Sequence, residues 1–245
     1  MAVETSILIP TLDDADTLGE TIERLNRLVA ATGAAAEVIV VDAGSRDGTL
    51  TNAAALADRF PLLHMRILVQ DRAHAGFGSV VRLGVAYAEG RFCAIVMPDA
   101  RDPLDVLPEM LRELRGGAHL VLCSRYENPW RADPNVPARF RTYQAVYRRA
   151  IRVLLGYDLP DSTYGFRAFH RTFVTALGLT AHSMAVCPEI TFKVMLAGGK
   201  VVRVPGGQTG PMVRSQSKFS LPHELVGYAA TLGRATLHRA GLRWF

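Results

Sequence analysis

Val38-Ile39-Val40-Val41-Asp42-Ala43-Gly44-Ser45-Arg46-Asp47-Gly48-Thr49 is an apolar run that ends in a carboxylate and a tight polar turn. Ala94-Ile95-Val96-Met97-Pro98-Asp99-Ala100-Arg101-Asp102 has the same form, an apolar run closed by an acidic turn. Short apolar runs bounded by turn residues read as strands buried on both faces of a parallel sheet. In an open parallel sheet, ligands bind outside the carboxyl ends of the strands. Asp42 and Asp99 are therefore expected at one crevice, joined by a third strand end at Thr11-Leu12-Asp13-Asp14. Each aspartate taken singly is equally well suited to forming a turn or capping a helix.

Working outward, the first 125 residues alternate strand and helix. Strands are expected at Ser6 to Pro10, Glu37 to Val41, Leu63 to Gln70, Cys93 to Met97 and His119 to Cys123. Helices are expected from about Thr17, then over Gly48 to Arg59, Ser79 to Glu89 and Pro103 to Arg115. Thr17-x-x-Glu20 has the form of a capping box, with Leu18, Ile22, Leu25 and Val29 on one face behind it. Such alternation predicts an α/β fold, a sheet with helices on both faces.

The character changes after Tyr126. Asn128 to Pro137 is rich in Pro, Asn and Asp and reads as a loop. A basic helix over Arg139 to Leu155 follows, then short strands near Phe166 to Phe169 and Lys200 to Pro205 around a helix at Pro188 to Ala197. Gly206 to Ser220 reads as a second long loop, and the last stretch as helix. No internal repeat interrupts the chain, so one domain is expected over 1–245, with a change of character after residue 125.

The 245 residues are 49% hydrophobic and 21% charged, enough for a sizeable core. A net charge of +5 favours anionic partners or is simply a solvated surface. Cys93, Cys123 and Cys187 are far apart with no zinc-ligand spacing, and they read as buried small hydrophobes of a reducing compartment. No signal peptide and no run of 18 apolar residues is visible, so a cytoplasmic protein is expected, peripheral at most. Gly76-Phe77-Gly78-Ser79-Val80-Val81 begins like a dinucleotide fingerprint but carries Val81 in its last position. Its glycines suit a turn or a close backbone approach to a phosphate. Arg214-Ser215-Gln216-Ser217-Lys218 is either a solvated basic loop or one that closes over a pyrophosphate. The final helix carries Leu225, Tyr228, Ala229, Leu232 and Ala235 on one side, with Arg234, His238, Arg239, Arg243, Trp244 and Phe245 beyond. That face would either meet an anionic membrane or dock on the core.

In order along the chain, these pieces resemble the family 2 glycosyltransferases of the GT-A fold. Within that family they are most similar to the polyprenyl-phosphate mannose and glucose synthases, of the dolichol-phosphate-mannose-synthase kind. Ile7-Leu8-Ile9-Pro10-Thr11-Leu12-Asp13-Asp14 resembles the segment "IPTYNE", and Val40-Val41-Asp42-Ala43-Gly44-Ser45 resembles "VVDDGS". Gly76-Phe77-Gly78-Ser79 is similar to the "GLG" turn, and Ala94 to Asp102 stands where the metal-binding "DAD" belongs. Cys123-Ser124-Arg125-Tyr126 resembles "GSRY", Asp161 to Arg167 "DPTSGFR", and Gln216-Ser217-Lys218 "GxSK". The resemblance implies a mostly parallel GT-A sheet, with a nucleotide-binding half at 1–125 and an acceptor-side half at 126–245, and sugar transfer with inversion. The donor would be a nucleoside-diphosphate sugar, and the acceptor a lipid phosphate or a small molecule, with no nucleic acid involved.

By the same resemblance, Asp99 and a Mg2+ or Mn2+ ion hold the donor diphosphate. Arg125, one of Arg139 or Arg141, Arg214 and Lys218 hold the acceptor phosphate and the departing nucleotide. Asp42 faces the nucleoside, Glu189 is structural or touches the sugar, and Pro10, Thr11, Leu12, Asp14, Gly76, Gly78 and Arg101 fall to substrate binding. The departures are pointed. Leu12 replaces the base-stacking Tyr, Ala43 replaces the second Asp of "DDGS", and Met97-Pro98-Asp99 leaves the metal motif one carboxylate short. A lost aromatic stack costs about 1–3 kcal/mol and a lost hydrogen bond about 0.5–1.5 kcal/mol. Arg101 offers a guanidinium to the leaving diphosphate in place of the missing carboxylate and its metal. Transfer to a small soluble acceptor, or ligand binding without turnover, are the alternatives.

Overall fold

The computed structural model describes residues 3–128, 131–132, 134–209, 221–242 and 245. β1 (Thr5–Thr11), β2 (Ala36–Asp42), β3 (Arg66–Val69), β4 (Phe92–Ile95), β5 (Leu120–Ser124), β8 (Arg167–His170) and β9 (Val201–Pro205) form one seven-stranded sheet in the order β3-β2-β1-β4-β8-β5-β9. Neighbours run parallel except β8, which is antiparallel to both β4 and β5. The two remaining strands, β6 (Tyr126–Asn128) and β7 (Arg131–Ala132), pair as a hairpin within a stretch whose composition had predicted loop.

The central strands are apolar throughout because both faces are covered, and alternate side chains feed two cores. On one face Ile7, Ile9, Val38 and Val40 pack with α1 (Ala15–Thr32), α2 (Thr49–Arg59) and α4 (Leu107–Arg115). On the other, Leu8, Ile39, Val41 and Ile95 meet α3 (Phe77–Tyr87), α6 (Arg171–Ala176) and α7 (Val186–Leu196). A third cluster joins α5 (Ala138–Leu155) and α8 (Leu221–Leu237) to α7 through Ile151, Leu155, Phe192, Leu232 and Ala235. The expected face of the last helix is therefore largely docked: Tyr228, Leu232 and Ala235 are buried, whereas Leu225 and Val226 remain exposed. The three cysteines are buried and free.

Two local expectations change. α1 begins at Ala15, two residues before the proposed capping box, and the Asp14 carbonyl accepts from the Thr17 and Leu18 amides. The side chain that meets the start of α1 comes from Asp47, whose carboxylate accepts from Ala15 N at 3.0 Å. β3 begins at Arg66 because Pro61–Leu63 forms a 3-10 turn that buries Leu63.

The reversed β8 decides where the site can be. Arg167, its first residue, lies opposite Ile95 and Leu122 near the carboxyl ends of β4 and β5. The loop that precedes β8 thus opens at the same sheet edge as the loops that follow β1, β2 and β4. Arg167 is fully buried and has no carboxylate partner among the described residues. Its guanidinium donates to the carbonyls of Ser162 (3.1 Å), Tyr164 and Cys187 and to Thr191 Oγ1 (3.1 Å), tying that loop to α7. Arg167→Leu leaves the carbonyls of Ser162 and Tyr164 without this donor, while Cys187 O still accepts from Thr191 Oγ1 at 3.1 Å. Unfolding in urea is expected to show a loss of at least about 2 kcal/mol, at about 1–3 kcal/mol for each unsatisfied group; an unchanged midpoint would refute this account of the loop.

Candidate active site

The loops after β1, β2 and β4 and the start of α3 enclose a cavity of about 270 Å³. Pro10, Thr11, Leu12, Asp14, Gly76 and Asp99, all expected at the substrate, line it together with Ala43. The two altered positions, Leu12 and Ala43, are thus wall residues. Asp42 is not. It is fully buried below the cavity, where Oδ1 accepts from the amides of Gly44 (2.8 Å) and Ser45 (2.7 Å). Its Oδ2 accepts from Thr11 Oγ1 (3.1 Å) and from the Ser45 hydroxyl. Asp42 therefore shapes the turn and has no free face for a nucleoside.

Gly76 and Gly78 owe their identity to a protein contact. A Cβ on Gly76 would collide with the His182 carbonyl, and one on Gly78 with the Ala181 carbonyl, while Gly78 N donates to His182 O at 2.8 Å. Gly76 still lines the cavity, and Gly78 does not. Glu189 secures the same segment: buried, it accepts from Thr180 N (2.8 Å), Thr180 Oγ1 (2.8 Å) and Ala181 N (2.9 Å) and pairs with Lys193 at 3.0 Å. It borders neither cavity, so the structural role, not contact with the sugar, is the one its surroundings support.

Asp99 stands on a loop clamped from α1. Thr21 Oγ1 donates to Pro98 O and accepts from Ala100 N, both at 3.0 Å, and Arg24 donates to the carbonyls of Ala100 and Asp102. This holds Ala100 at φ 57°, a left-handed conformation that costs a residue with a Cβ about 1–2 kcal/mol. Asp102 accepts from Met97 N (2.7 Å) and Tyr164 OH (2.6 Å). Burial, assisted by the charge of Asp99, pushes its carboxyl up to about 7.

Arg101 turns back onto Asp99. Its Nε and Nη2 donate to Asp99 Oδ2 at 3.1 and 2.7 Å, and the side chain is nearly enclosed. Nη1 is buried without a hydrogen-bond partner among the described residues. A divalent cation fits poorly here. Asp99 is the acidic residue of the motif, and one of its oxygens already carries two guanidinium N–H groups. No group of three His, Cys, Asp or Glu is placed to hold a metal ion among the described residues. A cation drawn to Asp99 would also sit against Arg101, at a cost of about 4 kcal/mol per unit charge at 4 Å in a medium of effective dielectric 20.

A second cavity, about 400 Å³, opens between α5 and α8 and shares Met97, Asp99 and Met184 with the first. Its walls are mainly apolar and aromatic, among them Phe140, Tyr143, Tyr147, Leu225, Tyr228 and Leu232. Arg101 and Arg125 line it as well. Arg125 is bound through Nε and Nη2 to Asp161 at 2.8 and 2.9 Å and lies 4.4 Å over the Tyr164 ring. Burial opposes its charge, but the Asp161 carboxylate outweighs that and holds the proton more tightly than usual. Arg139 and Arg141 are exposed on the first turns of α5 and border neither cavity. Arg214 and Lys218 lie outside the described residues.

Sequence reasoning gave no role to Arg72, Phe77, Met184 and Glu224, all of which line the smaller cavity. Arg72 is held there by Asp13 at 2.8 Å and by Gly44 O at 3.1 Å. No periodicity marks these positions, because Arg72 and Met184 come from two turns and Phe77 and Glu224 from the first turns of two different helices, α3 and α8. Asp161 and Tyr164 lie in a segment the resemblance did single out, where the pairing of Asp161 with Arg125 was readable only as co-occurrence. Removing Asp161 strands a buried guanidinium: Asp161→Ala is expected to cost about 3 kcal/mol or more in chemical denaturation, as for other broken buried pairs.

Comparison with known proteins shows the family and the fold. The model for glycosyl transferase family 2 matches residues 6–178, which include Asp99, Arg101, Arg125 and Asp161. The dolichol-phosphate mannosyltransferase of Pyrococcus furiosus is 26% identical over 219 residues, covering 89% of this chain and 59% of that protein. The polyprenol monophosphomannose synthase of Mycolicibacterium smegmatis is 29% identical over 209 residues, covering 82% and 76%. The undecaprenyl-phosphate mannosyltransferase of Micrococcus luteus is 26% identical, covering 92% and 98%. Among solved structures, glucosyl-3-phosphoglycerate synthase of Mycobacterium tuberculosis, in complex with Mn2+, UDP and phosphoglyceric acid, superposes with a TM-score of 0.71 at 20% identity, covering 98% of this chain and 79% of that one. The chain belongs to glycosyl transferase family 2, a glycosyltransferase built on a GT-A-like fold.

Proposed function

We propose that the chain moves a sugar, with inversion, from a nucleoside-diphosphate sugar to the phosphate of a polyprenyl phosphate. The observation that carries this reading is the pair of cavities meeting at Asp99, one walled by strand-end loops and the other by apolar side chains of two helices. The relatives named for dolichol, polyprenol and undecaprenyl phosphates support the same acceptor class. The donor lies in the smaller cavity with its diphosphate toward Asp99. The acceptor phosphate lies beside Arg125, and its hydrocarbon chain enters between α5 and α8. One phosphate oxygen attacks the anomeric carbon from the face opposite the diphosphate. The bond to the diphosphate oxygen breaks, and the nucleoside diphosphate leaves with the electron pair.

An ionised phosphate needs no general base, so positioning and charge stabilisation supply the catalysis. Arg125, fixed by Asp161 and Tyr164, orients the acceptor. Arg214, Lys218 and one of Arg139 or Arg141 are proposed to pair with the acceptor phosphate and the departing nucleotide. Among the described residues no helix is long and apolar enough to cross a membrane. Val146 and Leu225 line the larger cavity yet are 67% and 56% exposed, and Val153 and Val226 extend this apolar rim. With the basic residues of α5 alongside, the rim suits docking on an anionic membrane surface that delivers the acceptor.

The test is release of nucleoside diphosphate from GDP- and UDP-sugars, with a polyprenyl phosphate in detergent, with small phosphate acceptors, or with neither. Release that requires the lipid phosphate, with radiolabelled sugar recovered in the organic phase, is the expected result. Release with small acceptors alone would replace this reading by transfer to a soluble acceptor, and no release at all would leave a binding protein. Leu12→Tyr is expected to tighten binding of the preferred nucleoside diphosphate about tenfold in calorimetry, since it restores a stacking face worth about 1–3 kcal/mol.

A further inference from the structure

Resting on the donor reading above, we infer that Arg101, in place of a divalent cation, holds the donor diphosphate at the junction of the two cavities. The place a metal would take beside Asp99 is filled by a guanidinium bonded to it at 2.7 Å. Met97 and Pro98 stand at the two positions before Asp99, so the motif supplies no second carboxylate. Arg101 is only 6% exposed, and its Nη1 is buried with no hydrogen-bond partner among the described residues. A buried N–H without an acceptor is costly unless a ligand completes it. Arg101 lines the larger cavity but not the smaller, and Asp99, which it grips, lines both, so the guanidinium stands beside the residue the two cavities share.

A phosphoryl oxygen is the ligand such a group takes best. It is anionic, accepts strongly and matches the planar fork of a guanidinium that keeps its proton at every physiological pH. The clamp of Thr21 and Arg24 on residues 98–102 fixes the backbone from which Arg101 projects, so the cation is positioned before substrate arrives. Asp99 then orients Arg101, whereas in a metal site it would be a ligand. The pair carries no net charge, and the hydrogen bond from Nη1 gives the attraction its direction. Glu224 adds a buried carboxylate to the smaller cavity only, which makes a metal held between it and Asp99 the competing account.

The experiment measures GDP and UDP binding to the full chain by calorimetry, with excess EDTA or with Mn2+, and follows free Mn2+ by electron paramagnetic resonance. The wild-type protein is expected to bind nucleoside diphosphate about equally in both conditions and to deplete no more Mn2+ than the nucleotide alone does. Arg101→Ala and Arg101→Lys are expected to weaken binding about tenfold or more in EDTA, the loss of a charge-assisted hydrogen bond. Asp99→Asn, nearly isosteric, separates the two accounts by sign even if the arginine variants fold poorly. Binding that holds or tightens in EDTA supports Arg101, because the variant removes a negative charge beside the phosphate. Binding that demands Mn2+ and is lost in Asp99→Asn, with Arg101→Ala unaffected, overturns the inference and leaves an ordinary metal site. Failure of any nucleotide to bind under either condition removes the donor reading, and this inference with it.

Discussion

One strand running against its neighbours determines where everything else in the cleft can stand. β8 is antiparallel to β4 and β5, so its leading loop shares an edge with the trailing loops of the parallel strands. Asp161 and Tyr164 would otherwise lie at the far end of the sheet from Asp99. The arrangement depends on Arg167, a buried cation whose charge is balanced by carbonyl dipoles from the loop before it and from α7. An apolar residue could fill that volume, but it could not fix the direction of three carbonyls. The buried polar group here serves geometry.

Most acidic residues near the cleft are used in the same way. Asp42 closes the turn after β2, Asp13 holds Arg72, Asp161 holds Arg125, and Asp99 holds Arg101. In three of the four cases the carboxylate fixes an arginine that borders a cavity. The larger cavity therefore presents Arg101 and Arg125, whereas the smaller keeps Asp14, Asp99 and Glu224 beside Arg72. Each arginine is paired, so what it offers a polyanionic ligand is positioned N–H donors with little entropy left to lose on binding.

The fold was legible wherever local pattern and burial agree. β1, β2, β4 and β5 are apolar on both faces, and their runs mark them within a residue or two. β8 could be located but not oriented, since strand direction leaves no trace in a run of four residues; only the path of the chain after α5 decides it. The cleft was partly legible. Leu12, Ala43 and Asp99 line it because strand ends line such sites in any open sheet. Asp42 misled, because a strand-end aspartate that caps its own turn and one that faces a ligand look alike in sequence. Gly78 is placed away from the cavity for a related reason: it permits a close approach, but of the 181–183 backbone, whereas Gly76 makes the same kind of contact and still lines the cavity.

The cavity between α5 and α8 was the least readable feature, and the reason bears on how it works. Helical periodicity gives each of these helices an apolar face, and a buried face is satisfied equally by a core or by a ligand. α8 divides its face between the two. Toward its end Leu232 and Ala235 close on Ile151 and Phe192 in a packed cluster, while Leu225 near its start is left to the rim of the cavity. α5 does the same in the same order, with Phe140 and Tyr143 facing the cavity in its early turns and Ile151 and Leu155 in the core at its end. The two helices thus diverge from a shared apolar joint. Apolar volume at the open end is separate from the joint, so on the proposed reading an acceptor of altered size would be accommodated there without a change in the strand-end loops.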